Sequence, residues 1–315
     1  MRIRAIGAAA LGLALATEPA LACPCSDDAG GASGLVRRDE RDAASLVATS
    51  RRGLGRFDAF GRYGPFSDAE GETSEELLLR VGLRLPRRLE WSGELGFAAY
   101  RFHAPGVVER RTGLGDALLH ARYTAWDESM PHERWPRPSL SLASLLRAPL
   151  GTTSASRAPS FGSGGAQLGL GTWELGGGLE VARSLVPELE LALGAEAAYR
   201  FQDHALGRAR PRRLGPRADL ALGARVLPSA WWSFSVTLRE RLSGDVTLNG
   251  GKLDGTAERL WSVVLGAGVY ERQLDGGLRS SLTLSFDAPF GQSGPFAVGS
   301  TRAAALGVAL GYGRR

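Results

Sequence analysis

The stretch Glu188–Phe201 reads ELELALGAEAAYRF and alternates between two kinds of side chain. Its odd-numbered positions hold leucine or alanine and end in Tyr199 and Phe201, whereas the positions between them include three glutamates and Arg200. Successive side chains of a β-strand point to opposite faces of the sheet. The stretch therefore predicts a strand with one apolar face, one charged face and aromatic residues at its end.

The same two-residue period recurs along most of the chain, in runs that are longer than an ordinary strand of about 5–6 residues. A tilted strand of about 9–11 residues is long enough to cross a bilayer. A further strand, with poorer alternation, is predicted within Arg51–Tyr63, ahead of a polar loop at 64–73. The other runs are 77–85, 89–97, 117–125, 139–150, 173–181, 219–226, 232–239, 261–269, 281–287 and 306–312.

Short and long connections alternate between these runs. Turn residues fill the short links 86–88, 184–187, 228–230 and 275–277, and 127–136 is a longer member of that set. The long polar segments are 103–112, 151–171, 203–213, 243–256 and 288–299. This alternation is typical of a transmembrane β-barrel with short periplasmic turns and long outer loops.

Lipid cannot satisfy backbone N–H and C=O groups, so a sheet in a membrane must close on itself. We therefore predict an all-β protein: an antiparallel transmembrane β-barrel of about twelve strands, with ten or fourteen as alternatives. The barrel spans residues 44–315, is a monomer, and has outer-membrane lipid as its partner. Six aromatic residues near predicted strand ends suit the girdles of such a barrel: Tyr100, Phe102, Trp173, Tyr199, Phe201 and Tyr312.

The N-terminus carries the pattern of an export signal. Arg2 and Arg4 precede the apolar run AIGAAALGLALA at 5–16, and Ala20-Leu21-Ala22 fits a signal-peptidase site. We predict a signal peptide at 1–22, a polar tail at 23–43 and localisation in the cell outer membrane.

The polar face of the predicted strands is expected to line the lumen. Rings of such charges can make a pore selective, but they can equally pair with each other and fill a narrow barrel. The predicted lumen-lining residues are Arg80, Arg84, Glu90, Glu94, Asp116, His120, Arg122, Glu174, Glu180, Glu190, Glu196, Arg200, Arg217, Asp219, Arg225 and Arg239.

Cys23 and Cys25 form a CPC motif directly after the predicted cleavage site. Cys23 could carry a lipid, the two thiolates could bind a soft metal such as copper or zinc, or the motif could be an exposed tail with reactive thiols. No histidine lies near the pair, so no metal site is predicted there.

Other functional classes find little support. The net charge is +5, but the basic residues are spread along the chain, so no nucleic-acid partner is predicted. His120 is expected inside the lumen without a nucleophile motif, so we predict no enzyme, no catalytic residues and no cofactor. The glycine-rich segment 151–171 lacks the Gly-Lys-Ser/Thr ending of a phosphate-binding loop.

Four short stretches carry a family resemblance: Gly113–Tyr123 (GLGDALLHARY), Ala148–Gly151 (APLG), Leu168–Leu175 (LGLGTWEL) and Ala195–Phe201 (AEAAYRF). In this order they resemble a family of Gram-negative outer-membrane channels assigned to the phenol meta-cleavage pathway, although a glutamate stands where that family has an aspartate, at Glu174. The resemblance implies a barrel that takes up small hydrophobic or aromatic molecules.

Three functions follow from the sequence. The first is an outer-membrane channel or transporter for small solutes of the class that the resemblance implies. The second is a barrel with a closed lumen that serves as a structural or interaction protein of the cell surface. The third is a secreted soluble β-protein, in which the leucines would be buried and the charges would face water.

Overall fold

The structure is a computed structural model that describes residues 41–57, 62–85, 88–127, 138–151, 172–186, 188–201, 212–229, 232–254, 257–273, 278–293 and 301–314. The predicted signal peptide, the CPC motif and most of the long segment 151–171 lie outside the described residues. Among the described residues, no helix is long and apolar enough to cross a membrane.

Twelve long strands form one antiparallel sheet in which each strand pairs with the next along the chain, and the last pairs with the first. The predicted twelve-stranded antiparallel barrel is thereby confirmed. The strands are β1 Asp42–Phe57, β2 Gly71–Leu85, β3 Leu89–Ala104, β4 Val107–Trp126, β5 Ser139–Ala148, β6 Glu174–Val186, β7 Leu189–Arg200, β8 Arg217–Ser229, β9 Trp232–Ser243, β10 Glu258–Gln273, β11 Leu278–Ser293 and β12 Thr301–Arg314.

Closure of the barrel joins β1 to β12. Asp42 pairs with Arg314 at one end of this seam, and Arg56 pairs with Thr301 at the other. The end that holds Asp42 and Arg314 is called the turn end, because short connections such as that between β2 and β3 lie there. The opposite end is called the loop end. With both edges paired, every strand has a neighbour on each side, as a sheet in lipid requires.

The outer face of the barrel is apolar. Each of the twelve strands exposes large hydrophobic side chains, and Leu222 at the middle of β8 is 53% exposed. The charged residues that alternate with them are buried or half-buried inside. This is the reverse of a soluble barrel, and so large an exposed apolar surface indicates a membrane environment rather than a secreted soluble protein.

The first strand was wrongly predicted. It begins at Asp42, nine residues before the predicted range Arg51–Tyr63, and overlaps that range only at 51–57; the short strand Tyr63–Pro65 begins where the range ends. The outward positions at the start of β1, such as Ala44 and Ala48, are small. The strand therefore lacks the leucine stripe that marks the others in the sequence.

Two predicted loops were also wrong in part. The segment 103–112 is not a long loop, because β3 and β4 continue through it to a tight turn at Pro105–Gly106. Gly106 has a φ of 77°, which proline followed by glycine accommodates in a type II turn. Likewise, β11 continues to Ser293, inside the loop predicted from 288.

A small second sheet lies at the loop end. It contains Arg212–Arg213, Thr247–Leu248 and Gly251–Lys252. The last two strands are joined by Asn249 and Gly250, which both have positive φ (52° and 79°). Asn-Gly is the sequence that favours such a two-residue hairpin turn.

Candidate functional site: the barrel interior

All sixteen residues predicted to line the lumen lie on the inner side of the barrel. Each is buried or half-buried, whereas the leucines that alternate with them are exposed. The alternation of strand side chains produces this division, because residues two apart along a strand share a face. Among the described residues, no group of three His, Cys, Asp or Glu side chains could hold a metal ion.

Glu174 is the centre of the largest charge cluster. Its side chain is completely buried (0% exposed) at the start of β6. Arg200 Nε donates to Glu174 Oε2 at 3.0 Å, and Arg217 Nη2 donates to Glu174 Oε1 at 2.7 Å. Arg147 Nε lies 3.9 Å from Oε1. Three guanidinium groups thus surround one carboxylate, which satisfies the buried charge of Glu174.

Strand register explains why this carboxylate collects three arginines. Glu174 pairs directly with Arg147 of β5 and with Arg200 of β7. Directly opposed residues have their Cβ atoms about 4.5–5.5 Å apart, so both guanidinium groups reach the carboxylate. Arg217 comes from β8, one strand further along the wall.

Arg217 also links two carboxylates that would otherwise repel each other. Glu196 of β7 and Asp219 of β8 are directly opposed in the sheet, an arrangement that destabilises a strand pair when both are charged. Arg217 Nη2 donates to Glu196 and Nη1 donates to Asp219. Arg241 Nε of β9 then donates to Asp219 Oδ1 at 2.7 Å. The cluster therefore extends from β5 to β9.

Other inner ion pairs lie on the same part of the wall. Asp116 extends the cluster by one more strand, to β4, because its carboxylate is 3.9 Å from Arg147; it also accepts a hydrogen bond from the backbone N–H of Gly151. Four further pairs stand apart from the Glu174 cluster. They are Arg80–Glu94 (3.3 Å), Arg84–Glu90 (3.5 Å), Arg122–Glu180 (2.9 Å) and Arg225–Glu190 (3.9 Å).

The wall formed by β10–β12 and β1 has a different inner surface. Small or uncharged side chains occupy many of its inward positions, among them Ser262 and Val264 of β10 and Ala303 and Ala305 of β12. Gly307 of β12 pairs with Thr49 of β1 on the same face. The inner ion pairs given above thus all lie on β2–β9.

An aromatic cluster narrows the interior at the loop end. Tyr100 and Phe102 of β3 are only 4% and 5% exposed, and Phe66 packs against Phe102 with ring centroids 6.4 Å apart. The segment that carries Phe66 is attached to the end of β1, where Tyr63–Pro65 pairs with 55–57 and the backbone N–H of Phe66 donates to Leu54 O at 3.1 Å. The Phe66 ring lies on the inward side, because a Cβ added at the inward-facing Gly53 would be 3.1 Å from it. The first connection therefore folds into the barrel mouth.

Tyr100 and Phe102 correct one prediction. They were expected in an outer aromatic girdle, but even-numbered positions of β3 point inward, because Trp91 and Phe97 face outward. The other four predicted girdle residues are on the outer side and exposed; Tyr199 is 47% exposed.

Two arginines of the charge cluster were not among the predicted lumen residues. Arg147 lies on the polar face of a predicted strand and could have been included by its parity alone. Arg241 lies two residues beyond Arg239, which was predicted to face inward, so the same parity would have included it had the predicted strand not ended at 239. Phe66, which belongs to the aromatic cluster at the loop end, has no periodic pattern that would predict its position, since it lies in a connection between strands.

Comparison of the fold with solved structures finds other β-barrels of the outer membrane. An outer membrane channel from Pseudomonas putida F1 superposes with a TM-score of 0.63 at 14% sequence identity, over 87% of this chain and 95% of that chain. The NanC and KdgM porins overlap less, with TM-scores of 0.44 and 0.42 at 7% and 9% identity, over 85% and 86% of this chain and 98% and 99% of theirs. The first likeness supports the predicted fold of an outer-membrane β-barrel.

Sequence comparison adds no assignment. No protein-family model matches the chain, and a search of curated proteins finds no match.

Proposed function

We propose that this chain is an outer-membrane β-barrel channel that passes small solutes through its lumen. The observation that carries the proposal is the placement of the inner charges. The ion pairs described above join strands that are adjacent or that have one strand between them, so the pairs lie along the wall. Because many of the described inward positions of β10, β12 and β1 carry small side chains, space remains beside the charges for a polar path along the axis.

Barrel size supports a path for small solutes. Twelve strands about 4.8 Å apart and tilted by about 40° enclose a backbone cylinder about 12 Å in radius. Inward side chains reduce this space, and the cluster of Phe66, Tyr100 and Phe102 reduces it further at the loop end. We infer that the mouth sets the size limit and that the Glu174 cluster sets the charge preference.

The same proposal includes the orientation of the chain. We place the loop end at the cell exterior. The turn end, which holds the start of β1 and the end of β12, lies in the periplasm, as in other barrels of this kind. Cleavage of a signal peptide at 1–22 and a monomeric state in outer-membrane lipid belong to this proposal.

Conductance tests the channel directly. The mature chain, residues 23–315, would be refolded in detergent, checked for β-structure by circular dichroism and inserted into a planar bilayer. We expect discrete conductance steps. A folded barrel that stays silent would contradict the channel and favour the closed structural barrel, in which the charges fill the interior.

Solute class needs a second assay, because only the family resemblance predicts hydrophobic or aromatic solutes. Liposomes that contain the protein would be tested for swelling in arabinose, in phenol and in sodium benzoate. Faster entry of the aromatic solutes than of the sugar would support the class that the resemblance implies. Faster entry of arabinose would instead support a general polar pore. A bilayer without protein is the control for phenol, which crosses lipid unaided.

A further inference from the structure

Three exposed arginines lie in one cross-strand row on the outer face of the barrel, near the loop end. Arg52 of β1 pairs with Thr73 of β2, Thr73 pairs with Arg101 of β3, and Arg101 pairs with Arg110 of β4. Directly paired residues share a face of the sheet. All four side chains are exposed, so the row Arg52–Thr73–Arg101–Arg110 is a continuous basic strip, called the arginine row below.

The row faces outward rather than into the lumen. A second row lies four residues nearer the turn end along each strand and on the same face. In this row Leu77 pairs with Ala48 and with Phe97, and Phe97 pairs with Leu114. Leu77, Phe97 and Leu114 are exposed members of the apolar outer belt. Four residues of a tilted strand correspond to about 10 Å along the barrel axis. The arginine row therefore lies about one headgroup layer above the apolar belt.

Arg101 and Arg110 are directly opposed, which is unfavourable for two like charges. Among the described residues, no ion pair is found for Arg52, Arg101 or Arg110. The acidic residue closest in register is Glu75, which lies in the row between the arginines and the apolar belt and pairs with Ser50 and Ala99. One carboxylate against three guanidinium groups leaves the strip with an excess of positive charge.

An outward arginine on another part of the wall has its charge compensated within the chain. Arg259 of β10, also on the outer face near the loop end, donates through Nε to Glu240 Oε1 at 2.6 Å and lies over the Trp261 ring at 5.4 Å. That cation is compensated by the protein itself. Within the described part of the chain the arginine row has no such carboxylate, so an anionic partner would offset its repulsion.

We propose that the arginine row binds the phosphate groups of a phosphorylated lipid of the outer leaflet, whose acyl chains lie on Leu77, Phe97 and Leu114. Arginine forms paired, charge-assisted hydrogen bonds with phosphate oxygens. Two opposed guanidinium groups can share one phosphate, which converts their repulsion into a binding site. The inference concerns the outer wall and is independent of whether the lumen conducts.

Binding of diphosphorylated lipid A to the full mature chain in detergent micelles tests the proposal, with native mass spectrometry as the readout. The double variant R101Q/R110Q is compared with R183Q, because Arg183 pairs with the exposed Leu191 on the outer face at the turn end. Each basic residue near an anionic lipid surface changes affinity by about fivefold. We expect about 25-fold weaker binding by R101Q/R110Q and less than a twofold change in R183Q.

A second measurement separates lipid binding from a structural role. Without lipid A, R101Q/R110Q should unfold at the same or a higher temperature than the parent, since two like charges are removed; with lipid A, only the parent should gain stability. Equal lipid A affinity in the parent and double variant would overturn the proposal. Equal binding of dephosphorylated lipid A would overturn it too, as would full displacement of lipid A by millimolar inorganic phosphate, which would assign the row to a free anion.

Discussion

Glu174→Gln is the substitution that most directly tests the inner charge cluster. It keeps the shape of the side chain but removes the one negative charge that three arginines share. Arg217 retains Glu196 and Asp219, whereas Arg200 retains the Gly215 carbonyl, which accepts its hydrogen bond at 3.4 Å. Arg200 is therefore the cation that loses most.

The magnitude follows from burial. Removing one partner of a buried ion pair costs about 3–5 kcal/mol. Because Arg217 keeps two carboxylates, we expect the lower end of that range, about 3 kcal/mol of unfolding free energy. Glu180→Gln is the matched control, since Glu180 pairs with Arg122 at 2.9 Å and is more exposed than Glu174. A partly exposed pair of this kind contributes about 1 kcal/mol or less.

Guanidinium unfolding in detergent, followed by tryptophan fluorescence, would give both free energies under the same conditions. E174Q should unfold at a clearly lower denaturant concentration than E180Q. If E174Q lost no more stability than E180Q, the Glu174 cluster would not be a structural centre and the reasoning would fail.

The same variant changes the charge of the lumen. E174Q leaves Arg147, Arg200 and Arg217 around a neutral amide, so the local charge becomes more positive by one. If the channel conducts, its reversal potential under a KCl gradient should shift towards anions. An unchanged reversal potential would mean that ions do not pass near Glu174.

Three further changes test the wall and the mouth. Leu222→Arg places a charge at the middle of the apolar belt and should cost about 2–4 kcal/mol in refolding titrations; parent-like stability would argue against lipid contact there. Gly55→Ala would put a Cβ 2.5 Å from the Gly64 carbonyl oxygen, so we expect displacement of the inward first connection, detectable as faster proteolysis near Gly64. Phe66→Ala removes the ring that packs on Phe102 and should raise single-channel conductance; a conductance equal to the parent would mean that the mouth is not the narrowest point.

Strand positions could be read from the sequence with good accuracy wherever leucines alternate with charges. The stretch 188–201 predicts β7 almost residue for residue, because period-2 alternation survives any tertiary context that has one apolar and one polar side. The prediction failed at β1, where alanine and serine replace leucine on the outer face. It failed again at 103–112, where Pro105–Gly106 was a turn signal inside a segment taken for a loop.

The inner cluster could be predicted only in part. Parity along each strand placed Glu174, Arg200 and Arg217 on one face, but it could not bring them together. That Glu174 meets Arg147, Arg200 and Arg217 depends on the register of four strands, which β-sheet pairing sets between segments far apart in the chain. The inward position of Phe66 depends on how a connection folds over β1, for which no periodicity exists.

The sequence by itself determined the strand period and the two chemically distinct faces, since these follow from local alternation, whereas it left the strand number at about twelve, with ten or fourteen as alternatives. Only the tertiary structure decided which charges meet, which aromatic residues point inward at the mouth, and that Arg101 and Arg110 stand opposed on the outer wall. The physical reason is that side-chain direction is a local property of a strand, whereas contact between strands depends on their register and on the closure of the whole barrel.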